Sequence, residues 1–238
     1  MRKKIRNKKR QEQAPTNNNN NNNNNQQNKK QPFHLEFLNQ AQKLAWSAFD
    51  QHDVLFLIGP AGCGKTMLAC AFGISEIISK KKRKIILTRP IVEAGPTLGY
   101  LPGNISEKTD PYMMPMYDCV DRCIGRENEL REMVNKSIEI APLQYLRGRT
   151  FNDSVCIFDE AQNATASQLK LFLTRFGQNS KIIITGDPAQ SDLHEKDQGL
   201  MQVVKKIETL NGVGVVYFKS SSIVRHPLVA SILEKLEG

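Results

Sequence analysis

The sequence predicts an α/β domain, a mostly parallel sheet with helices on both faces. Three observations predict it. Short apolar runs bounded by Gly, Pro or charged residues alternate with stretches of helical periodicity, the pattern of strands buried on both faces and joined by helices. One strand-to-helix junction, Gly59-Pro60-Ala61-Gly62-Cys63-Gly64-Lys65-Thr66, fits G-x-x-x-x-G-K-[ST] after the apolar run Val54–Ile58. A second apolar run, residues 155–158, delivers two adjacent carboxylates, Asp159 and Glu160, at its C-terminal end.

Each part of the junction has a chemical reason. Glycines let the loop wrap a phosphate with converging backbone N–H groups, and the helix beginning near Gly64 adds its positive end. Lys65 is placed to reach β- and γ-phosphates, and the Thr66 hydroxyl to ligate Mg²⁺. At the end of the second run, Asp159 can hold Mg²⁺ through water while Glu160 polarises an attacking water, the division of labour phosphoryl transfer needs.

Composition narrows the setting. The chain has 238 residues, 39% of them hydrophobic, and once the first thirty-odd are set aside the remainder suits one domain. Net charge is +9, but residues 1–32 hold nine Lys/Arg and one Glu, so the rest carries only +1. That tail also contains nine consecutive Asn, cannot bury a face, and is expected to be disordered. It reads either as an arm holding RNA or DNA by counterion release or as a solubilising extension. Five cysteines, one inside the phosphate loop, argue for a reduced, cytoplasmic protein rather than a disulfide framework. Cys119 and Cys123, four apart on a helix, read as small core side chains, since no Cys/His pair completes a metal site. No apolar run is long enough for a membrane span.

Taken in order, residues 35–49 form an amphipathic helix with Phe37, Leu38, Ala41, Leu44, Ala45 and Ala48 on its apolar stripe. Gln42 lies on that helix, and its amide either offers donor and acceptor to an adenine edge or is simply solvated. Residues 67–79 are helical. The basic run 80–84 follows, as a solvated loop or a nucleic-acid contact, and 85–88 is a buried strand. The Gly/Pro-rich stretch 89–103 lies beyond that strand's end, where ligands bind in open α/β sheets. Two helical patterns over residues 112–134, broken at Gly125, lead to a strand at 138–141. The loop-like, basic 143–151, with Arg147 and Arg149, suits a surface contact or an anion site. After the acid pair, Leu169, Phe172, Leu173 and Phe176 mark one core face of a helix. Strand 181–185 ends in a polar cluster containing Gln190, able to touch a γ-phosphate. A helix at 200–207, a strand at 213–218 and a closing helix at 227–236 complete the chain. Arg225 stands at the last strand-to-helix junction, where a cation can reach a γ-phosphate.

Seven strings in fixed order carry a family resemblance. They are the phosphate loop, Arg-Pro-x-Val-Glu-Ala-Gly from Arg89, Leu-Gly-x-Leu-Pro-Gly from Leu98, Arg-Gly-Arg-Thr-Phe from Arg147, Asp-Glu-Ala-Gln-Asn from Asp159, Gly-Asp-x-x-Gln from Gly186 and Val-Arg-His-Pro-Leu-Val from Val224. Over residues 35–237 the chain resembles the PhoH family of phosphate-starvation-inducible P-loop ATPases, whose nucleotide-binding core is similar to that of superfamily 1 helicases. The resemblance implies a RecA-like P-loop NTPase fold, adenine recognition by Gln42, γ-phosphate sensing by Gln190 and an arginine-finger role for Arg225. It departs in three ways. The chain reads as the form without a preceding PIN nuclease segment. Gly-Asp-Pro-Ala-Gln-Ser-Asp replaces the more usual Thr-Gln-Ile-Asp-Leu-Pro, with Gln190 still in register. The Asn-rich tail points to an A+T-rich genome such as a phage's.

The expectation is therefore an enzyme that binds ATP through residues 59–66 and hydrolyses it with Mg²⁺ held by Thr66 and Asp159, using Lys65, Glu160, Gln190 and Arg225. A helicase-like site on one RecA-like domain implies a homo-oligomer, a hexameric ring being favoured, coupled to RNA or single-stranded DNA. The alternative is a slow or non-hydrolysing nucleotide switch that acts by binding partners.

Overall fold

The computed structural model describes residues 35–91, 105–125, 128–224 and 235. Six strands, β1 (Val54–Ile58), β2 (Lys84–Thr88), β3 (Ile138–Ile140), β4 (Ser154–Phe158), β5 (Lys181–Gly186) and β6 (Val213–Tyr217), form one sheet in the order β3-β2-β4-β5-β1-β6, every pair parallel. The central strands form where they do because both their faces are covered. Leu55, Leu57, Ile85, Leu87, Val155, Ile157 and Ile183 enter one apolar cluster, and their alternating neighbours Phe56, Ile58, Ile86, Cys156, Phe158, Ile182 and Ile184 enter the other.

The first cluster is closed by α1 (Gln40–Gln51), α2 (Lys65–Ile78), α3 (Ile105–Ile124) and α4 (Asn128–Ser137), and the second by α5 (Ala166–Leu173) and α6 (Leu200–Ile207). This is the three-layer α/β architecture that the alternation of strand and helix patterns predicts. Phe49, Phe72 and Trp46 interlock where α1 meets α2, with Phe49 and Phe72 stacked at 5.1 Å. Burying a side chain of this size contributes about 1.5–3 kcal/mol. Local signals set the helix ends. Asn39 caps α1 by accepting from the Gln42 N–H, Thr165 and Gln168 form a reciprocal capping box on α5, and Lys181 caps the far end of α1 by donating to the carbonyls of Phe49 and His52 at 2.7 and 2.8 Å.

Several expectations change. The apolar stripe of α1 is rotated: Leu38 and Leu44 are exposed, while Gln42, Ala45 and Phe49 face inward. Gln42 turns in because its amide has partners behind the phosphate loop. Phe176 lies past the end of α5 and is 40% exposed, so the core face there ends with Leu169, Phe172 and a half-buried Leu173. Helix α3 begins at Ile105, seven residues before the predicted start, and runs through Pro111. Part of the basic run is structural: Lys82 is buried against Asn179 Oδ1 at 2.7 Å and Lys81 pairs with Glu76. Arg149 serves neither as an anion site nor as a free surface cation, because Glu139 takes its guanidinium in a two-pronged ion pair and Phe151 lies under it. The tail, most of the 89–103 loop, Arg225 and the closing helix apart from Lys235 lie outside the described residues.

Candidate active site

The C-terminal ends of β1, β2, β4 and β5 converge at one edge of the sheet, and the site is built from the residues just beyond each strand. The phosphate loop leaves β1 between β5 and β6, and both neighbours hold it. Gly59 N–H donates to Gly186 O at 3.1 Å and Ala61 N–H to Asp187 Oδ2 at 2.9 Å on one side, while Val224 N–H donates to Gly62 O at 2.9 Å on the other. Gly59 is dictated by close approach: a Cβ there would lie 2.6 Å from the Cβ and the carbonyl oxygen of Phe218. Gly64 starts α2 from a left-handed conformation at φ 85°, which turns the loop into the helix axis. Behind the loop, the buried Cys63 thiol donates to Pro60 O, and burial pushes its pKa up even though Lys65 is near. Lys65 reaches back across the loop, its Nζ donating to the carbonyls of Gly59 and Pro60 at 2.7 and 2.9 Å.

The acid pair follows β4. Asp159 is buried, and its Oδ1 accepts from Thr66 Oγ1 at 2.7 Å and from Thr185 Oγ1 at the end of β5. Thr66 and Asp159, predicted from strings 93 residues apart, thus meet directly. A hydroxyl and a carboxylate at hydrogen-bond separation form a hard oxygen pair that fits Mg²⁺, an ion that keeps several waters and needs few protein ligands. Glu160 adopts a left-handed backbone at φ 54°, ψ 41°, a conformation that costs a non-glycine residue on the order of 1–2 kcal/mol. Two neighbours hold its carboxylate: Gln162 Nε2 donates to Oε2 at 2.5 Å, and Arg89 Nη2 lies 3.7 Å from Oε1. Gln162 also accepts from the Asp187 N–H at 3.0 Å, so one buried amide links the acid at the end of β4 to the aspartate beyond β5. Arg89 in turn donates to Tyr112 O on α3.

These groups surround a cleft of about 310 Å³. Of the sequence-predicted residues, Ala61, Gly62, Gly64, Lys65, Thr66, Asp159, Glu160 and Gln190 line it. Gly59 and Pro60 stand behind as the carbonyls that engage Lys65, and Cys63 faces the core. Gln190 ends a short 3₁₀ turn, Pro188–Gln190, which the Asp187 side chain caps through Ala189 N–H. Gln42 is not solvated. Its Oε1 accepts from Leu38 N–H at 2.8 Å and its Nε2 donates to Cys63 O at 3.3 Å, fastening α1 to the back of the loop. Arg225 lies outside the described residues, directly after Val224, whose N–H holds Gly62 O. Sequence reasoning missed Asp187, Thr185, Gln162, Arg89 and Arg122. Asp187 and Gln162 sit inside strings already singled out, beside residues that received roles.

The PhoH-like protein family profile matches residues 34–237. The chain belongs to the PhoH-like family. Curated PhoH-like proteins from Bacillus subtilis (strain 168) and Synechocystis are 44% and 45% identical over 87% and 80% of this chain, and Protein PhoH from Escherichia coli K12 is 42% identical over 80%. The chain spans 64%, 58% and 54% of those relatives' lengths. Among solved structures, the Pif1 helicase from Candida albicans aligns over 85% of this chain and 44% of its own at 16% identity and a TM-score of 0.40. With six parallel strands, helices on both faces and the phosphate loop leaving β1 into α2, the PhoH-like chain has an α/β P-loop NTPase fold. Among the described residues no helix is long and apolar enough to cross a membrane.

Proposed function

We propose that this PhoH-like domain binds ATP with Mg²⁺ and hydrolyses it, with Glu160 as the base that activates water. The observation that carries the reading is the 2.7 Å contact between Thr66 and Asp159 in the cleft that Lys65 and Glu160 also line. When bound, Mg²⁺ supplies charge neutralisation for the phosphates. The chain's own residues do the rest. Loop N–H groups and Lys65 hold the phosphates, Lys65 exchanging two neutral carbonyl acceptors for charged ones. Thr66 and Asp159 supply the cation's hard oxygens, and Thr185 fixes the Asp159 rotamer. Glu160 takes a proton from water, and its left-handed backbone with the Gln162 bond sets where the carboxylate points. Gln190 contacts the terminal phosphate from the strand-end turn, and Gln42 reads adenine if its amide exchanges its present partners.

A slow nucleotide switch is the second reading, favoured by one observation: the Glu160 carboxylate is already engaged by both Gln162 and Arg89. Turnover also fits a homo-oligomeric, preferably hexameric ring that acts on RNA or single-stranded DNA, with Arg225 completing a neighbour's site or its own. Steady-state ATP hydrolysis with and without RNA and single-stranded DNA separates these readings. Lys65→Ala should lose nucleotide binding, whereas Glu160→Gln should keep ATP and lose turnover by several powers of ten. Equal turnover in Glu160→Gln reassigns the base, and a protein that stays monomeric with ATP and Mg²⁺ in sedimentation removes the ring.

A further inference from the structure

Five charged side chains line the cleft, Lys65, Asp159, Glu160, Asp187 and Arg122. Four are answered by protein. Lys65 meets two loop carbonyls, Asp159 two threonine hydroxyls, Glu160 an amide and a guanidinium, and Asp187 two backbone N–H groups. Arg122 is different: among the described residues its guanidinium makes no hydrogen bond or ion pair. It sits in the last turn of α3, where the helix dipole favours a cation. That accounts for a basic residue at this helix end but not for its place on the wall of this cleft.

Its corner of the cleft can be located. Cys119, one turn earlier on the same face of α3, also lines the cleft. Its thiol is pushed up by burial first and then by the charge of Asp159, while Arg122 and Arg89 pull it down. The α3 wall shares this cleft with Asp159 and Glu160, and Arg89, the arginine paired with Glu160, donates to Tyr112 O on α3. This is the end where the acids stand, and Gln42 lies behind the loop instead.

We infer that Arg122 is a phosphate-binding residue of the same chain, receiving the terminal phosphate of the nucleotide opposite Lys65. The inference rests on the reading of this cleft as a nucleotide site. A guanidinium presents five N–H donors in a planar fork that matches two phosphate oxygens at once, so an arginine with no protein acceptor in a phosphate cleft is suited to an anion. It also means that a cation from outside the loop reaches the triphosphate without a second subunit, so selection of ATP over ADP should not depend on protein concentration.

Calorimetric binding of a non-hydrolysable ATP analogue and of ADP, both with Mg²⁺, to the full chain and to Arg122→Ala, Arg122→Lys and Lys65→Ala tests this. Arg122→Ala should weaken the triphosphate about tenfold, equivalent to about 1.4 kcal/mol, and leave ADP unchanged. Arg122→Lys should recover part of the loss, and both variants should melt with the wild type because the side chain is exposed and holds no protein partner among the described residues. An unaltered ATP-to-ADP ratio in Arg122→Ala, together with lost binding in Lys65→Ala, overturns the Arg122 assignment alone. Equal triphosphate binding by wild type and Lys65→Ala overturns the nucleotide reading itself.

Discussion

Replacing Gln42 with alanine measures how much of this side chain's work is structural. Gln42 is 5% exposed, accepts from Leu38 N–H at 2.8 Å and donates to Cys63 O at 3.3 Å. Each such bond contributes about 0.5–1.5 kcal/mol net, and the longer one belongs at the bottom of that range. The buried methylene lost with them is worth about 0.8 kcal/mol. Together these give roughly 2–3 kcal/mol, or roughly 5–10 °C in melting temperature for a domain of this size. Thermal unfolding without nucleotide, alongside binding of ATP and GTP, is the assay. Gln42→Ala should lower the melting point by that amount before any ligand is added. Gln42→Glu should lower it at least as far, since a carboxylate has no proton to offer Cys63 O. An unchanged melting temperature with loss of the preference for ATP over GTP would refute the tether and leave the amide free for the base.

Gly59→Ala places a methyl 2.6 Å from the Phe218 Cβ and carbonyl, both anchored by the Phe218 N–H bond to Ile58 O, so β6 must separate from β1. Phosphate binding and stability should fall together in denaturant titration, and a variant of wild-type stability contradicts the packing. Arg149 holds the Glu139 carboxyl below its usual range. A depressed carboxylate stabilises the fold above its unfolded value of about 4.3 and loses that contribution as pH falls through the lower folded value. The stability gap between wild type and Glu139→Gln should therefore be present at neutral pH, small because the pair is about one-third exposed, and should close in acid. A gap that widens on acidification contradicts the assignment.

The six strands were legible because each is a short apolar run, and a parallel sheet buried on both faces leaves that trace. The loop and the acid pair were legible because each is contiguous in sequence. The phase of α1 was not, because periodicity treats Leu44 as core and Gln42 as surface, whereas the hydrogen-bond demands of Cys63 O and Leu38 N–H reverse them. Arg89, Gln162 and Asp187 act across strand ends that are neighbours only because β2 lies beside β4 and β5 lies between β4 and β1. Their roles belong to the strand order, which hydrophobic pattern does not encode. Arg122 joins the cleft because α3 packs on α2, where Cys123 Sγ meets Met67 at 3.1 Å, a contact with no sequence spacing to announce it.

The place of β1 also has a consequence for how the chain is made. Its two partners in the sheet are β5 and β6, and β5 begins only at Lys181. At synthesis rates of about 5–20 residues per second, the apolar run Val54–Ile58 waits on the order of ten seconds for its first neighbour. Until then it is an unpaired, strongly hydrophobic strand, the kind of segment that chaperones cover and that aggregates when they do not. The clamps on the loop come later still, from Gly186, Asp187, Phe218 and Val224. The phosphate loop is among the earliest parts of the domain to be synthesised and among the last to be shaped, so phosphate affinity reports that folding has reached the far end of the sheet.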